Sequence, residues 1–545
     1  MKKIAVIAGM GLLSLSAAYA QQDSTLNRTV VVENQYNPTV MDASKINVLP
    51  KVEEPVVPKR NIDYATSLRP VGAWKNEAMS PIVRDWTSDA AYRGYLRAGY
   101  GNNGNVDARL GYLWDISTKD RLNIAATFGG WDGDLSKFYD QDWKSRLYNT
   151  KVGLDYRHAF KKMDFLLGGS FRSRVFNYVA NEWNPDPDVS LHQHQTMAHG
   201  YLGFASTDKD MPVQFQAEAG IKSFKEKYPM QHRDEGIGET NLYAMADVWK
   251  QYKGDARLGL KARFDNYAYS YEDTEGRIAF DLNPYYAMQN DDWKVRLGAH
   301  VDYVELGYGD DKLYVSPDVN VEYTFSDSYV FFAKAEGGRK TSSFYELAEM
   351  TPYLYEPVLF PTYVALDAAL GLKASPATGW WFLVSGGYQV RKNDVCWALG
   401  QGRPFWFSSI DFVDTKVFYG TAELKYDYKD LLDFSLKGTY YHWNGYGHES
   451  DKWDLCLKPE LELNAEVGAK VMNGLRVHAG YEYVKRCNDN GGDPVSNLYL
   501  GADYSLLKNL SVFGKVNNLL DKEYLRPEGY PAQGLNFLAG ISLQF

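Results

Sequence analysis

The sequence predicts an all-β protein, a transmembrane antiparallel β-barrel of about 22 strands (range 18–22), and three observations support this. Apolar and polar residues alternate along many segments, which is the two-residue period of a β-strand. Aromatic residues make up 15% of the chain, including 42 Tyr. Short polar turns alternate with longer aromatic-rich connections. Backbone polar groups in hydrocarbon must all be paired, so such a sheet has to close on itself.

The last segment of the chain shows the alternation clearly. Every second residue from Phe537 to Phe545 is apolar, Leu538 is apolar as well, and the other intervening residues are polar or small. A final strand with this pattern suits closure of a sheet against its first strand. We therefore expect Phe537, Ile541 and Phe545 to form the barrel-closure signal that the barrel assembly machinery recognises.

Three internal segments indicate which face is apolar and how long the strands are. In Trp293–Tyr303 the apolar residues share one face, charged and small residues share the other, and aromatic residues close both ends. Ten steps of about 3.3 Å, tilted by about 45°, project to roughly 23–25 Å, the height of the apolar band of an outer-membrane barrel. Segments 257–265 and 433–440 alternate in the same way. The pattern predicts apolar residues facing lipid and polar residues facing the lumen.

The strand number follows from the turns. Short polar turns lie at 118–120, 161–162, 208–210, 253–255, 290–292, 326–328, 376–378, 429–430, 473–474 and 508–509. Longer connections rich in Trp, Tyr, Pro and Gly lie mostly between them. If both termini are periplasmic, ten periplasmic turns give eleven hairpins and hence 22 strands.

The N-terminal region differs from the rest of the chain. Residues 1–20 combine two lysines, an apolar run and Ala18-Tyr19-Ala20, which predicts a secretory signal peptide cleaved after Ala20. Residues 21–90 are interrupted by prolines and predict an extended periplasmic arm or a reduced plug. Residues 91–545 form the predicted outer-membrane barrel. The β-branched run at residues 28–34 suits addition as a strand to the sheet edge of a partner, or pairing within the chain itself.

A resemblance to a known family appears near the C-terminus. Residues 516–524 are VNNLLDKEY, residues 529–531 are GYP, and a last strand ending in Phe follows. This closing signature resembles that of TonB-dependent outer-membrane receptors, although Leu535 stands where the family usually has Arg. The resemblance implies a 22-stranded barrel and a function in ligand uptake.

The same resemblance implies a periplasmic partner. Residues 28–34 resemble the family's TonB box, so Thr29, Val30, Val31 and Val32 would recruit a TonB-type energy-coupling protein. The family also has a globular plug between this box and the barrel, and the Pro-broken arm of this chain is much shorter. Either the arm fills part of the lumen, or a partner fills it, or the barrel is smaller than the turn count suggests.

Other motifs favour structural interpretations. The G-x-G-x-x-G match at Gly99–Gly104 precedes a strand and not a helix, so it indicates a hairpin and not a nucleotide site. The histidines His192, His194 and His199 could bind a metal, but a solvated loop is the better interpretation. An acidic stretch at 132–142 lacks the spacing of a calcium loop. We predict no metal, no cofactor and no enzymatic activity.

Aromatic residues in the predicted long connections are candidates for ligand contact. Trp131, Trp183, Trp397 and Trp406 could stack on a sugar or cofactor face, while membership of the outer aromatic girdle is the favoured alternative. The net charge of −10 argues against a nucleic-acid partner. Three distant cysteines indicate neither a zinc ribbon nor a disulfide framework.

The sequence supports three functional hypotheses, all of which place the protein in outer-membrane lipid. The first is a receptor that binds an unknown ligand and transports it across the outer membrane. The second is a structural or assembly component whose arm docks a periplasmic protein. The third is a passive porin. The closing signature favours the first hypothesis.

Overall fold

The computed structural model describes most of the predicted barrel. The described residues are 92–138, 141–178, 192–208, 210–229, 235–252, 255–271, 274–305, 312–326, 328–341, 343–350, 360–398, 409–445, 458–487, 493–526 and 531–545. The predicted signal peptide and the arm lie outside the described residues. None of the helices in these ranges has the length and apolar character needed to cross a membrane.

Strands dominate the described residues. They are β1 Gly94–Gly101, β2 Val106–Asp115, β3 Asp120–Phe138, β4 Gln141–Ala159, β5 Met163–Asn177, β6 His192–Ser206, β7 Gln214–Glu226, β8 Gly238–Gln251, β9 Ala256–Tyr269, β10 Arg277–Gln289, β11 Trp293–Val304, β12 Lys312–Ser326, β13 Tyr329–Thr341, β14 Thr362–Ala374, β15 Trp380–Ala398, β16 Ser409–Tyr428, β17 Leu432–Gly445, β18 Pro459–Met472, β19 Leu475–Arg486, β20 Val495–Ser505, β21 Leu510–Asn517 and β22 Asn536–Gln544. A 3-10 turn, Asn102–Gly104, follows β1, and one α-helix, α1, spans Phe344–Met350.

The 22 strands form one closed antiparallel sheet. Each strand pairs with the next along the chain, and β22 pairs with β1 in the register Tyr95↔Gln544 to Gly101↔Leu538. At the seam the backbone N–H of Gly94 donates to the carbonyl of Phe545 at 2.6 Å, and the N–H of Phe545 donates to the carbonyl of Gly94 at 3.0 Å. The predicted barrel and its strand number are confirmed.

The two ends of the barrel differ in their connections. The ten connections after even-numbered strands have two to seven residues, and we call this the short-turn end. The connections after odd-numbered strands define the long-loop end, where the connection between β13 and β14 reaches 20 residues. The connection between β3 and β4 is an exception. Both strands continue well past their neighbours, so the segment around Trp131, which the sequence predicts to be a long connection, lies in an extended hairpin.

The apolar face of the wall points outwards, as predicted. On β9, Leu258 is 56% exposed and Leu260 is 45% exposed, whereas Asp265 on the opposite face is fully buried. Aromatic rings collect at the short-turn end of the same outer surface. The Trp293 and Tyr323 ring centroids lie 4.5 Å apart, as do those of another pair, Trp380 and Tyr426. The wall therefore shows polar residues inside and apolar residues outside, the pattern of a barrel that crosses lipid.

Closure of the seam depends on a glycine at its centre, and this gives a first prediction. A Cβ at Gly540 would lie 2.0 Å from the carbonyl oxygen of Ala98, whereas a Cβ at Gly514 on the adjacent strand has no atom within 4 Å. We expect Gly540→Val to reduce the free energy of unfolding by about 1–3 kcal/mol, because backbone atoms must move apart. Urea titration of the detergent-solubilised protein, monitored by heat-modifiable gel mobility, measures this. Gly514→Val is the matched control, and an equal effect of both variants would contradict the explanation.

Candidate functional site

Within the described part of the chain, the helix α1 interrupts a series of β-strands. It lies in the long connection between β13 and β14, and Ser343 caps it: the Ser343 Oγ accepts a hydrogen bond from the N–H of Glu346 at 3.1 Å. The spacing from Ser343 to Glu346 is that of a capping box. A helix of seven residues is not stable in isolation. Contacts with the barrel must therefore hold it.

Apolar contacts anchor α1 at the long-loop end of the barrel. Phe344, Leu347 and Ala348 are buried and belong to one hydrophobic cluster. The other buried members are Phe224 of β7, Ile237 just before β8, and Val395 of β15. Six strands, β9 to β14, lie between β8 and β15 along the shorter way round the wall. A contiguous cluster that joins them must lie across the interior.

Polar contacts fix both ends of α1. The carboxylate of Glu239 on β8 accepts a hydrogen bond from the N–H of Phe344 at 2.5 Å. At the other end, Arg174 Nη1 of β5 donates to the carbonyl of Ala348 at 3.1 Å, and Arg172 forms an ion pair with Glu349. The Glu239 carboxyl satisfies a free N–H at the helix N-terminus, and the guanidinium groups at the C-terminus complement the helix dipole. The helix thus connects β13 to β5, eight strands away.

The carboxyl group of Glu239 has an unusual pKa. Glu239 lies on the long-loop side of the outward apolar residues of its strand, which begin at Leu242, and therefore outside the lipid-facing band. Burial raises its pKa to about 7, the nearby Glu346 adds to the increase, and the hydrogen bond from Phe344 opposes it. The charged form is thus disfavoured where the helix docks.

Below α1 the lumen wall carries paired charges. Asp265 is fully buried and accepts hydrogen bonds from Arg263 Nε at 2.8 Å and from Arg339 Nη2 at 2.7 Å. Arg296 Nε donates to Asp318 at 2.7 Å. Such pairs neutralise charges that would otherwise be costly at partly desolvated positions.

One group on the lumen wall has the composition of a metal site. Asp281 of β10 and His300 and Asp302 of β11 each offer a ligand atom, and these atoms all lie within 4.8 Å of one another. The Nδ1 of His300 and the Oδ2 of Asp281 are 2.9 Å apart. The alternation had placed His300 and Asp302 on the polar face. It could not show that Asp281 lies directly opposite Asp302, because that depends on strand register.

Several predicted site residues are not described, or their side chains are not. The residues that lie outside the described ranges are Thr29, Val30, Val31, Val32, Trp183 and Trp406. Trp397 lies on β15, with no described side chain. The roles of all these residues in binding stay predictions.

Trp131 is described, and its position differs from the prediction. It lies within β3 and not in a loop, it is only 7% exposed, and its Nε1 donates to Ser145 Oγ at 2.9 Å. The guanidinium of Arg526 lies 5.1 Å from its ring. The loop was expected because the strand pattern could not show that β3 and β4 continue beyond the membrane.

The three histidines near residue 195 do not converge. All three lie on β6, where His194 and His199 occupy opposite faces because their positions differ by an odd number. His194 Nε2 is 2.9 Å from Ser173 Oγ, and His199 Nε2 is 2.7 Å from the hydroxyl of Tyr243. The solvated-loop interpretation was wrong, because these residues form part of the wall.

Two further sequence motifs are located. The match at Gly99–Gly104 runs from β1 through the 3-10 turn, which β2 follows, so the hairpin interpretation is confirmed. Phe537, Ile541 and Phe545 lie on the exposed outer face of the closing segment, and the Phe545 ring stacks 6.0 Å from that of Tyr112. Their role as an assembly signal stays a prediction.

Comparisons with known proteins identify the fold. No family model and no curated protein sequence matches the chain. Among solved structures, the FrpB iron transporter from Neisseria meningitidis is 12% identical with a TM-score of 0.66, and the alignment covers 84% of this chain and 82% of that chain. A mutant of the ferric enterobactin receptor from Pseudomonas aeruginosa, in complex with enterobactin, is 12% identical with a TM-score of 0.63, at 84% and 82% coverage.

A third structure gives the same result. The ferric-catecholate import receptor Fiu from E. coli K12 is 11% identical with a TM-score of 0.59, and the alignment covers 84% of this chain and 82% of that chain. Such likeness at low identity establishes a common fold. The chain has the 22-stranded barrel of these receptors and transporters, which is the fold that the closing signature implied.

The raised pKa of Glu239 gives a second prediction. A carboxyl whose pKa rises from its usual 4.5 to about 7 when α1 docks stabilises the docked state most below pH 4.5. This stabilisation is lost as the pH rises through 7. In a background without Cys396, Cys456 and Cys487, we expect a Leu347→Cys variant to be labelled faster at pH 8.5 than at pH 5.5, after correction for thiolate fraction.

Two control variants make this test specific. Glu239→Gln should remove the pH dependence of labelling, because the amide does not titrate in this range. Glu275→Gln, which changes an exposed carboxyl at the same end of the barrel, should preserve it. A pH dependence that persists in Glu239→Gln would show that another group controls docking.

Proposed function

We propose that the chain is an outer-membrane receptor that binds a ligand at its long-loop end and takes it up through the barrel. The observation that carries this proposal is α1, a helix held across the interior by apolar contacts and by charged groups at both ends. A helix held in this way is an obstruction in the lumen. A receptor needs one, because its lumen must stay closed until a ligand is bound.

The fold supports this proposal by analogy. The structures that share it are described as an iron transporter, a ferric enterobactin receptor and a ferric-catecholate import receptor. On this basis we place the protein in the outer membrane, after cleavage of its signal peptide behind Ala20 and insertion by the barrel assembly machinery. Because the neighbours are receptors and transporters, we propose no catalytic activity.

Uptake against a gradient requires energy, and the arm provides a route for it. Residues 28–34 would add as an extended strand to the sheet of a TonB-type periplasmic protein, with Thr29, Val30, Val31 and Val32 supplying the backbone hydrogen bonds. The remainder of 21–90 would serve as an extended periplasmic arm or as a reduced plug. Trp183, Trp397 and Trp406 belong to the long-loop end by sequence position and would contact the ligand, as would Trp131 if its hairpin opens.

Planar-bilayer conductance tests whether α1 closes the lumen. We expect the mature chain to conduct little, and a variant combining Glu239→Ala with Arg174→Met to conduct at least severalfold more, because both ends of α1 lose a polar contact. Arg121→Met, which removes an exposed ion pair with Asp115 near the short-turn end, is the matched control. A large steady current from the unmodified chain would favour the passive porin. If both chains stay closed, α1 is not the element that closes them.

A proline in the arm tests the coupling step. Proline lacks a backbone N–H and disrupts strand addition. We expect Val31→Pro to abolish crosslinking to the periplasmic energy-coupling protein and to reduce uptake at least tenfold, with unchanged barrel assembly. Val48→Pro, elsewhere in the same arm, should leave both intact. If Val31→Pro has no effect while the arm still co-purifies with another periplasmic protein, the assembly-component hypothesis is favoured.

A further inference from the structure

The group formed by Asp281, His300 and Asp302 differs from the other charged groups of the lumen wall. Asp281 and Asp302 are directly opposite each other on neighbouring strands, and His300 lies two residues along on the same face as Asp302. Like charges in this arrangement destabilise a sheet. The imidazole of His300 contacts Asp281 at 2.9 Å, and one of its ring nitrogens also lies within 4.8 Å of a carboxylate oxygen of Asp302.

Asp302 is the least satisfied member of this group. It is 1% exposed, and its Oδ2 has no hydrogen-bond partner among the described residues. A buried carboxylate oxygen without a partner is expensive, and native structures rarely keep one without a reason. The positive charge of Arg339 acts on Asp302, but Arg339 Nη2 already donates to Asp265 at 2.7 Å. One carboxylate oxygen of the same side chain lies within 4.8 Å of the ligand atoms of Asp281 and His300.

We propose that Asp281, His300 and Asp302 bind one divalent transition-metal cation in the lumen wall. Two carboxylates and one imidazole are a ligand set that suits Zn²⁺ or Mn²⁺, whereas Ca²⁺ would prefer oxygen ligands only. A cation removes the repulsion between the facing carboxylates and gives the orphan oxygen a partner. This proposal does not depend on whether the chain transports a ligand.

The site is accessible from the lumen. The side chains of His300 and Asp281 keep 26% and 18% of their surface exposed, whereas Asp302 forms the buried floor. A hydrated cation in the lumen would therefore meet His300 and Asp281 first and would exchange water for the buried carboxylate last. The cation would also join β10 to β11, in addition to their backbone hydrogen bonds.

A proton shared between the two carboxyls is the competing explanation. One proton between Asp281 and Asp302 would also relieve their repulsion. The two explanations differ in what Asp302→Asn does to the metal-free protein and to its response to metal.

Isothermal titration of the full mature chain in detergent, after removal of metals with a chelator, tests the proposal with Zn²⁺ and with Mn²⁺ as probes. We expect one Zn²⁺ per chain, and at least tenfold weaker binding in Asp302→Asn and in His300→Asn. Asp318→Asn, a lumen-facing carboxylate paired with Arg296, is the matched control and should bind as the unmodified chain does. His194→Asn tests whether the other histidines contribute.

Unfolding measurements with and without metal make the result decisive. We expect Zn²⁺ to stabilise the unmodified chain against urea and not the Asp302→Asn variant, which without metal should be at least as stable as the unmodified chain because the repulsion is gone. Heat-modifiable gel mobility shows that each variant is folded. The proposal is overturned if no stoichiometric binding occurs or if Asp302→Asn binds Zn²⁺ normally. The shared proton is established if an infrared band of a protonated carboxyl disappears in Asp302→Asn and Zn²⁺ does not change this band in the unmodified chain. This result also overturns the metal-site proposal.

Discussion

The backbone pairing of β22 with β1 is the interaction on which the rest of the structure depends. A sheet of 22 strands has two edges, and each unpaired backbone group at an edge in hydrocarbon costs several kcal/mol. The seam removes both edges, with Tyr95 to Gly101 matched against Leu538 to Gln544. Glycines allow this close approach, since a Cβ at Gly101 would lie 1.7 Å from the carbonyl oxygen of Phe537. Closure then fixes the alternation of apolar and polar residues in all the remaining strands, because only one face of the sheet can meet lipid.

Closure also creates the problem that α1 addresses. The diameter of a barrel grows with its strand number, so 22 strands enclose a space that wall side chains alone do not fill. The chain fills part of it with seven residues from its longest connection. So short a helix persists because its apolar residues pack in a hydrophobic cluster, and because Glu239 meets its N-terminus and Arg174 its C-terminus. These contacts are fewer than the backbone hydrogen bonds that hold a strand in the wall, which makes the helix easier to release than a strand.

Local patterns in the sequence were enough to predict the barrel. The faces of 257–265 and of Trp293–Tyr303 follow from a period of two, and the strand number follows from ten short turns. Features that depend on register or on distant contacts were not predictable in this way. The capping-box spacing from Ser343 to Glu346 is visible in the sequence, but its docking on β5 and β8 is not. In the same way, His300 and Asp302 belong to the polar face by pattern, while their meeting with Asp281 requires the alignment of β10 and β11.

Buried aspartates of the lumen wall occur in two kinds of environment, and the difference between these environments bears on function. Asp265 and Asp318 each receive guanidinium hydrogen bonds at 2.7–2.8 Å, so their charges are neutralised within the chain. Asp302, which is as buried as Asp265, faces another carboxylate, and one of its oxygens has no hydrogen-bond partner among the described residues. Sequences usually remove such conflicts unless a ligand or a function resolves them. Arginines neutralise neighbouring carboxylates elsewhere on this wall. A pair of facing aspartates beside a histidine, with such an unsatisfied oxygen, is the arrangement expected where a cation from solution supplies the positive charge.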